Sequence, residues 1–297
     1  MVDEIVIAEA LNHEIRIHAA ASTAMVEAAR KAHDSAATCT AALGRTLTVT
    51  ALLASDLKRP EEHVRVRING GGPIGTILTE GDGAGNVRGT ADHMNLYASR
   101  ADGHLDVGKV VGNQGTLQVA IDMGLKEPFT GTVLLRSGEI GEDFAAYFLE
   151  SQQTGSVVSV GVLVDTDSSV RAAGGMIIQL LPGASEETID IVEAVSQQMK
   201  PMSETVNQGI TPEELIMSLF PDAEILAHKP LQWHCDCSKE HFSDALASLR
   251  ESDLEDMIHE DHGAEIICHY CRSRYTFTEE ELMRILENKR RAENRKH

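Results

Sequence analysis

Four of the five cysteines in this 297-residue chain fall in one stretch near its end, as Cys235-Asp236-Cys237 and Cys268-His269-Tyr270-Cys271. No other feature limits the fold so tightly. One short loop cannot aim four sulfurs at a common centre, whereas two short loops brought together can. Each pair sets two thiols within a few ångströms of each other, which suits tetrahedral coordination by four thiolates at roughly 2.3 Å. The 30 residues between the pairs leave room for helices that bring the loops together. The expectation is one Zn2+ per chain, held by Cys235, Cys237, Cys268 and Cys271.

Two other uses of the cysteines are weaker. Structural disulfides need an oxidising compartment, and the start Met1-Val2-Asp3-Glu4 lacks the basic region of a secretory signal. Buried free thiols rarely come as two close pairs. His234, His241, His259, His262 and His269 lie nearby, but four cysteines already fill a structural site, so these are expected at the surface. A C-x-C bridge is strained and easily reduced, while C-x-x-C closes more comfortably and is a common redox spacing. Two oxidisable pairs can therefore change state. Spacing alone does not choose between a static staple and a switch.

Length favours two domains, with ample chain for one large core. Hydrophobic residues make up 42%, aromatics only 4%. No run approaches the ~20 apolar residues of a membrane helix, and a cytoplasmic protein is the simplest expectation. The 26 Lys and Arg face 46 Asp and Glu, a net charge of −20, and a zinc with four thiolates adds about −2. Such a surface repels nucleic acid unless a basic patch is segregated. The one dense patch is Lys289-Arg290-Arg291 with Arg295-Lys296, where basic residues suit a helix C-terminus.

Along the chain, Glu4 to Ala8 and Glu14 to Ala19 are expected as strands. Ile5-Val6-Ile7 is a continuous apolar run, too short to exclude helix by itself. Ser22 to Lys31 and Ser35 to Leu57 look helical with a break near Asp34, and Cys39 is expected as packing. His63 to Asn69 alternates cleanly as a strand. Asn69-Gly70-Gly71-Gly72-Pro73-Ile74-Gly75 lacks the Gly-Lys-Ser/Thr ending of a phosphate loop and suits a hairpin turn. Strand pattern continues from Gly115 to Met123, Thr130 to Leu135, Val157 to Val164 and Gly174 to Leu181, with a helix from Glu142 to Gln153. Asp143 and Glu139 could be drawn as a carboxylate pair, but an exposed helix start explains them equally well. No catalytic constellation emerges, and no enzyme is expected. Beyond Pro182 and Gly183 polar helices begin. Ser185 to Lys200 carries Ile189, Val192, Ser196 and Met199 on one stripe. Thr211-Pro212-Glu213-Glu214 is a capping-box helix start. Met199, Met202 and Met217 are more simply core than binding surface.

Essentially the whole chain resembles the thirty-three-kilodalton heat-shock proteins, which are redox-regulated holdase chaperones. The resemblance runs through Leu43-Gly44-Arg45, Gly72-Pro73-Ile74-Gly75, Val87-Arg88-Gly89, Ser137-Gly138-Glu139-Ile140, Ala172-Ala173-Gly174-Gly175 and Gln179-Leu180-Leu181-Pro182. Its most specific part is Cys235-Asp236-Cys237-Ser238 with Cys268-His269-Tyr270-Cys271. Two departures bear on local packing: Thr90-Ala91-Asp92-His93 replaces the usual aromatic and Pro, and Gln152 stands where Glu is expected.

The resemblance implies an α+β architecture: a mixed α/β core domain at 1–181, a helical linker at 182–232 and a zinc-binding redox-switch domain at 233–297. It implies zinc on the four cysteines when reduced and two disulfides, Cys235–Cys237 and Cys268–Cys271, when oxidised. Oxidation then releases zinc, unfolds switch and linker, favours a homodimer and exposes apolar surface. That surface holds unfolding or oxidatively damaged clients without ATP during oxidative stress, with no nucleic acid or membrane as partner. The competing reading is a constitutive zinc-stapled binding protein, with nucleic acid as its candidate partner.

Overall fold

The run Ile5-Val6-Ile7 shows no alternation because it is buried on both faces. The computed structural model describes residues 2–294. It divides into two units, with the boundary between His234 and Cys235. In the first, β1 (Glu4–Ala10) and β2 (Ile15–Ala21) form a hairpin, followed by α1 (Thr23–His33) and α2 (Ala37–Ala54). Next come β3 (His63–Asn69), β4 (Thr76–Asp82), β5 (Asn86–Ala91), α3 (Val107–Val111), β6 (Thr116–Asp122) and β7 (Phe129–Leu134). Then α4 (Gly141–Glu150) leads into β8 (Ser156–Val164) and β9 (Val170–Leu180). The unit ends with α5 (Glu186–Gln198), α6 (Met202–Asn207), α7 (Pro212–Leu219), β10 (Glu224–Pro230) and β11 (Gln232–Trp233). The second unit holds α8 (Lys239–Ala247), α9 (Glu251–His259), β12 (Gly263–Ile267), β13 (Arg274–Thr278) and α10 (Glu279–Asn294).

Among the described residues, the first unit has a five-stranded sheet, β10-β1-β2-β9-β8, and a six-stranded sheet, β11-β5-β4-β3-β6-β7. Helix α2 packs against β3, β4 and β5 of one and β8 and β9 of the other. It is long and apolar enough to cross a membrane, yet 83% of that window is buried inside the protein. Its threonines survive in a dry core by bonding backward: Thr46, Thr48 and Thr50 donate to carbonyls four residues earlier at 2.8–2.9 Å. Leu43, Leu47 and Leu52 are almost fully buried, and each contributes roughly 1.5–3 kcal/mol. Cys39 is packing, as expected, fully buried with its S–H directed at the His93 and Leu96 carbonyls.

The opposite face of the five-stranded sheet carries a second core. Val6, Ala8, Ile15, Ile17, Met176 and Ile178 meet Val192, Met202, Ile216 and Phe220 there. The stretch 182–232 supplies that cover through α5, α6 and α7, and it also contains a strand. β10 pairs antiparallel with β1 along an edge that would otherwise stand open. The Thr211 capping box forms as expected: its hydroxyl accepts from Glu214 N while the Glu214 carboxylate accepts from Thr211 N.

The glycine loop turns β3 into β4, and its glycines answer a crowding problem. A Cβ on Gly70 would lie 2.2 Å from the Gly112 carbonyl oxygen, and one on Gly72 2.4 Å from that of Val110. At the first departure, Asp92 accepts from Thr76 N at 2.7 Å and closes the neighbouring turn.

The exposed helix start expected at Asp143 is corrected by the structure. Asp143 is fully buried and accepts from the backbone N–H groups of Arg136, Ser137, Gly138 and Ile140 at 2.7–3.3 Å. That loop carries Ile140 at φ 74°, a strained conformation for a β-branched residue. Glu139 is likewise structural, bound to Arg45 at 2.7 Å, to Arg100 and to Gly108 N. Asp143→Ala should therefore cost at least about 2 kcal/mol. The check is a urea unfolding midpoint at unchanged m-value; a midpoint shift near zero would show that the loop holds itself.

Candidate metal centre

The second unit brings the four predicted cysteines together. Cys235 and Cys237 lie in an irregular loop that ends at Ser238, whose hydroxyl accepts from His241 N and starts α8. Cys268 and Cys271 lie in the turn joining β12 to β13. That turn is closed by Cys268 N donating to Ser273 O at 2.8 Å and Arg272 N donating to Cys268 O at 2.9 Å, with Arg272 at φ 62°. The four sulfurs lie within 4.8 Å of one another. Across the two loops, Cys235 and Cys268 are 3.8 Å apart and Cys237 and Cys271 3.3 Å.

Behind the loops, Leu246, Leu254, Ile258, Phe277, Leu282 and Ile285 form the unit's core, joining α8, α9, β13 and α10. Lys239, two residues past Cys237, pairs with Glu281 at 2.7 Å and sits 5.1 Å from the centre of the Phe277 ring. This pair is partly exposed and worth little by itself. Its effect is positional, since it ties the first cysteine loop to the start of α10.

The cluster is electrostatically tense. Burial pushes the Cys235 thiol up, and the neighbouring Cys268 and Cys271 charges add to it. Cys237 is also raised, chiefly by burial, despite its contact with Tyr275. Cys271 moves the other way, to about 7: burial opposes the shift, but hydrogen bonds from the Ser273 hydroxyl and backbone outweigh it. The Tyr275 hydroxyl donates to Cys237 O at 2.9 Å and lies 3.3 Å from its sulfur, which raises the phenol to about 12. Four soft donors at these separations can hold a metal ion, which replaces protons with one charge at the centre.

The five nearby histidines are all exposed, and among the described residues none joins the cluster. Tyr275 and Ser273 had no sequence signal beyond an alternating strand after the second pair. The basic stretch near the end is largely spent within the unit. Lys289 caps the Ala247 carbonyl, Arg290 pairs with Glu251 and Glu255, and Arg291 faces Glu287. Arg295 and Lys296 lie outside the described residues.

The Hsp33 protein family model matches residues 3–278. The 33 kDa chaperonin of Shouchella clausii is 47% identical over 290 residues, spanning 97% of this chain and 98% of its own. That of Staphylococcus aureus strain Newman is 42% identical over 289 residues, 96% and 98% of the two chains. The crystal structure of the 33 kDa chaperonin from Thermotoga maritima superposes with a TM-score of 0.89 at 32% identity, covering 97% of this chain and 99% of that one. Sequence and fold both match over nearly the full length, and the chain belongs to the Hsp33 family.

Proposed function

We propose that this protein is a redox-regulated, ATP-independent holdase that binds unfolding proteins under oxidative stress. The observation that carries this reading is the convergence of four sulfurs from two loops. Sulfurs at the corners of a tetrahedron, each about 2.3 Å from a central zinc, lie about 3.8 Å apart, which matches the Cys235–Cys268 separation of 3.8 Å. When bound, zinc would offset two of the four thiolate charges and clamp the loops. Cys235, Cys237, Cys268 and Cys271 hold it, while Ser273 and Tyr275 orient the sulfurs. A reducing cytoplasm keeps such a cluster reduced at rest. The charge of −20 argues against nucleic acid as the partner.

Oxidation removes the clamp. Two thiols and one peroxide give one disulfide and two waters, so the cluster consumes two peroxides to form Cys235–Cys237 and Cys268–Cys271. In the folded cage every sulfur neighbours the others. Once the loops part, the partner one or two residues away has by far the higher local concentration. Those small rings constrain the chain little and do not replace a bridge from Cys237 to Cys268. A structural zinc contributes about 10–16 kcal/mol of folding energy, against total stabilities of about 5–15 kcal/mol. The switch domain at 233–297 is then expected to unfold, and the linker at 182–232 to loosen. That uncovers the apolar sheet face for clients and favours a homodimer.

Three outcomes test this. Reduced protein should carry about one zinc per chain, lost on replacing Cys268 and Cys271 by Ser; full zinc retention in that variant would remove the site. Peroxide-treated protein should suppress client aggregation and reduced protein should not. Hydrogen exchange should show protection lost beyond Pro182 on oxidation and kept in α2. Equal activity in both states would mean a constitutive binding protein instead. At partial oxidation, peptide mass spectrometry should find Cys268–Cys271 before the more strained Cys235–Cys237 bridge; the reverse order would sink the strain argument.

A further inference from the structure

Each of the two large sheets in the first unit has two edges, and three of these four are blunted. β10 carries Lys229 and Pro230, and its pairing with β1 is broken by a register shift between Ile7 and Ala8. β11 is two residues long, and no residue of β8 is exposed. Short length, charge, proline and cover all keep an edge from recruiting a further strand. β7 uses none of them. Phe129-Thr130-Gly131-Thr132-Val133-Leu134 has no charge, no proline and no bulge against β6, and four of its six residues are exposed. Among the described residues β7 has β6 on one side and no strand on the other.

The unpaired backbone groups follow from the register. Leu135 N donates to Gly115 O at 3.0 Å, in line with the pairing of Leu134 with Thr116 and of Phe129 with Ile121. Amides alternate in direction along an antiparallel strand. Phe129, Gly131 and Val133 therefore bond to β6, while Thr130, Thr132 and Leu134 turn N–H and C=O outward. The strand is fixed in place before anything binds. Val133 is buried, and α4 comes so close at Gly131 that a Cβ there would lie 2.1 Å from Ser151 Oγ. Phe129 and Leu134, at the two ends, are 58% and 67% exposed. Beside the Phe129 end lies an open depression of about 480 Å³, lined by Ile121, Met123, Phe129 and Gln152 among others, with no charged residue in the lining.

We propose that the β7 edge binds an extended, uncharged polypeptide segment, which adds to the six-stranded sheet as a further strand. Main-chain bonds to Thr130, Thr132 and Leu134 supply the affinity, and the depression receives an aliphatic or aromatic side chain of the incoming segment. Because β7 already holds its bound conformation, little ordering cost falls on the protein's side. Charge selects the segment. Strand and depression are neutral within a chain of net charge −20, so an acidic segment is repelled and a neutral one is not. The same charge disfavours a second copy as the occupant. Centred antiparallel self-pairing sets Thr132 against itself and Arg136 against Pro128 across the two-fold axis, with no opposite charges to offset the repulsion. β7 lies outside 182–232 and 233–297, so the edge is open in the reduced protein, whatever the cysteines do. Three N–H and three C=O groups make a reversible contact, too small to keep a whole unfolding chain from aggregating.

The probe is the neutral peptide Thr-Val-Thr-Phe-Thr-Val-Thr, acetylated and amidated, titrated into full-length reduced protein with amide hydrogen exchange read residue by residue. In the free protein Thr130, Thr132 and Leu134 should exchange at least about tenfold faster than Gly131 and Val133, the value of one hydrogen bond. Peptide should slow the first set and leave the second unchanged. Thr132→Pro removes an outward N–H without losing a bond to β6 and should weaken binding at least about tenfold. Replacing both valines of the peptide by aspartate should weaken it as well. The exchange pattern needs no variant and stands even where the proline substitution fails to fold. Absence of binding, protection gained outside Thr130, Thr132 and Leu134, unchanged affinity in Thr132→Pro, or equal affinity for the acidic peptide would each overturn the proposal. A reduced dimer abolished by Thr132→Pro would give the edge to a second copy and overturn the peptide as its occupant. None of these outcomes bears on zinc content or on activation by peroxide, so this proposal and the redox reading fail separately.

Discussion

Four sulfurs lie within 4.8 Å of one another, and their surroundings do not favour one protonation state for all of them. Cys235 and Cys237 are pushed toward the protonated state, while Cys271 is drawn toward the thiolate. The second unit depends on resolving that conflict. Its core is a handful of side chains gathered around Phe277 and Leu254, and its surface is ion-paired and exposed. Chains of this length bury too little apolar area for much stability without a staple. A metal ion held among the four sulfurs would replace that conflict with a single bridging charge.

The first unit is built on the opposite principle. Helix α2 is packed from both sides by sheets, and its hydroxyls are satisfied within the helix, so nothing in that core depends on the redox state of the four cysteines. Between these extremes lies the cover over the five-stranded sheet. Helix α5 buries only Thr188 and Val192 of its 13 residues. Such a helix is held by few apolar contacts and belongs to the low-stability end of the molecule. The cover as a whole lies over Ile15, Ile17 and Ile178. Stability is thus graded along the chain, as the proposed partial opening would require.

What the sequence made legible follows a physical rule. Features that depend on spacing within a few residues were readable: the two cysteine pairs, the Thr211 capping box, the alternation of β3 and the break at Asp34. Features that depend on a distant partner were not. Glu224–Pro230 has no clear alternation and ends in proline, and it becomes a strand only because β1 offers an open edge. Asp143 looked like an exposed helix start because the four N–H groups it accepts belong to a folded-back loop. Tyr275 reaches Cys237 across 38 positions. His18 reads as one more residue of a half-polar strand, and only the fold brings its ring to 2.8 Å from Ser55 at the end of α2.

The proposed thiol switch would also need a chain that does not react elsewhere. Cys39 is the test of that condition. It is fully buried in α2, its pKa is raised by burial, and its S–H points at two backbone carbonyls. The reactive species is the thiolate, so a high pKa and no solvent access together make this sulfur inert. Its carbonyl partners also hold the proton in place, since losing it would leave a buried anion facing two oxygens. An exposed thiol in its position would capture half of either pair in a mixed disulfide and leave the other half without a partner. On the proposed function, confining oxidation to Cys235, Cys237, Cys268 and Cys271 would therefore be a property of the first unit's packing as much as of the second unit's cluster.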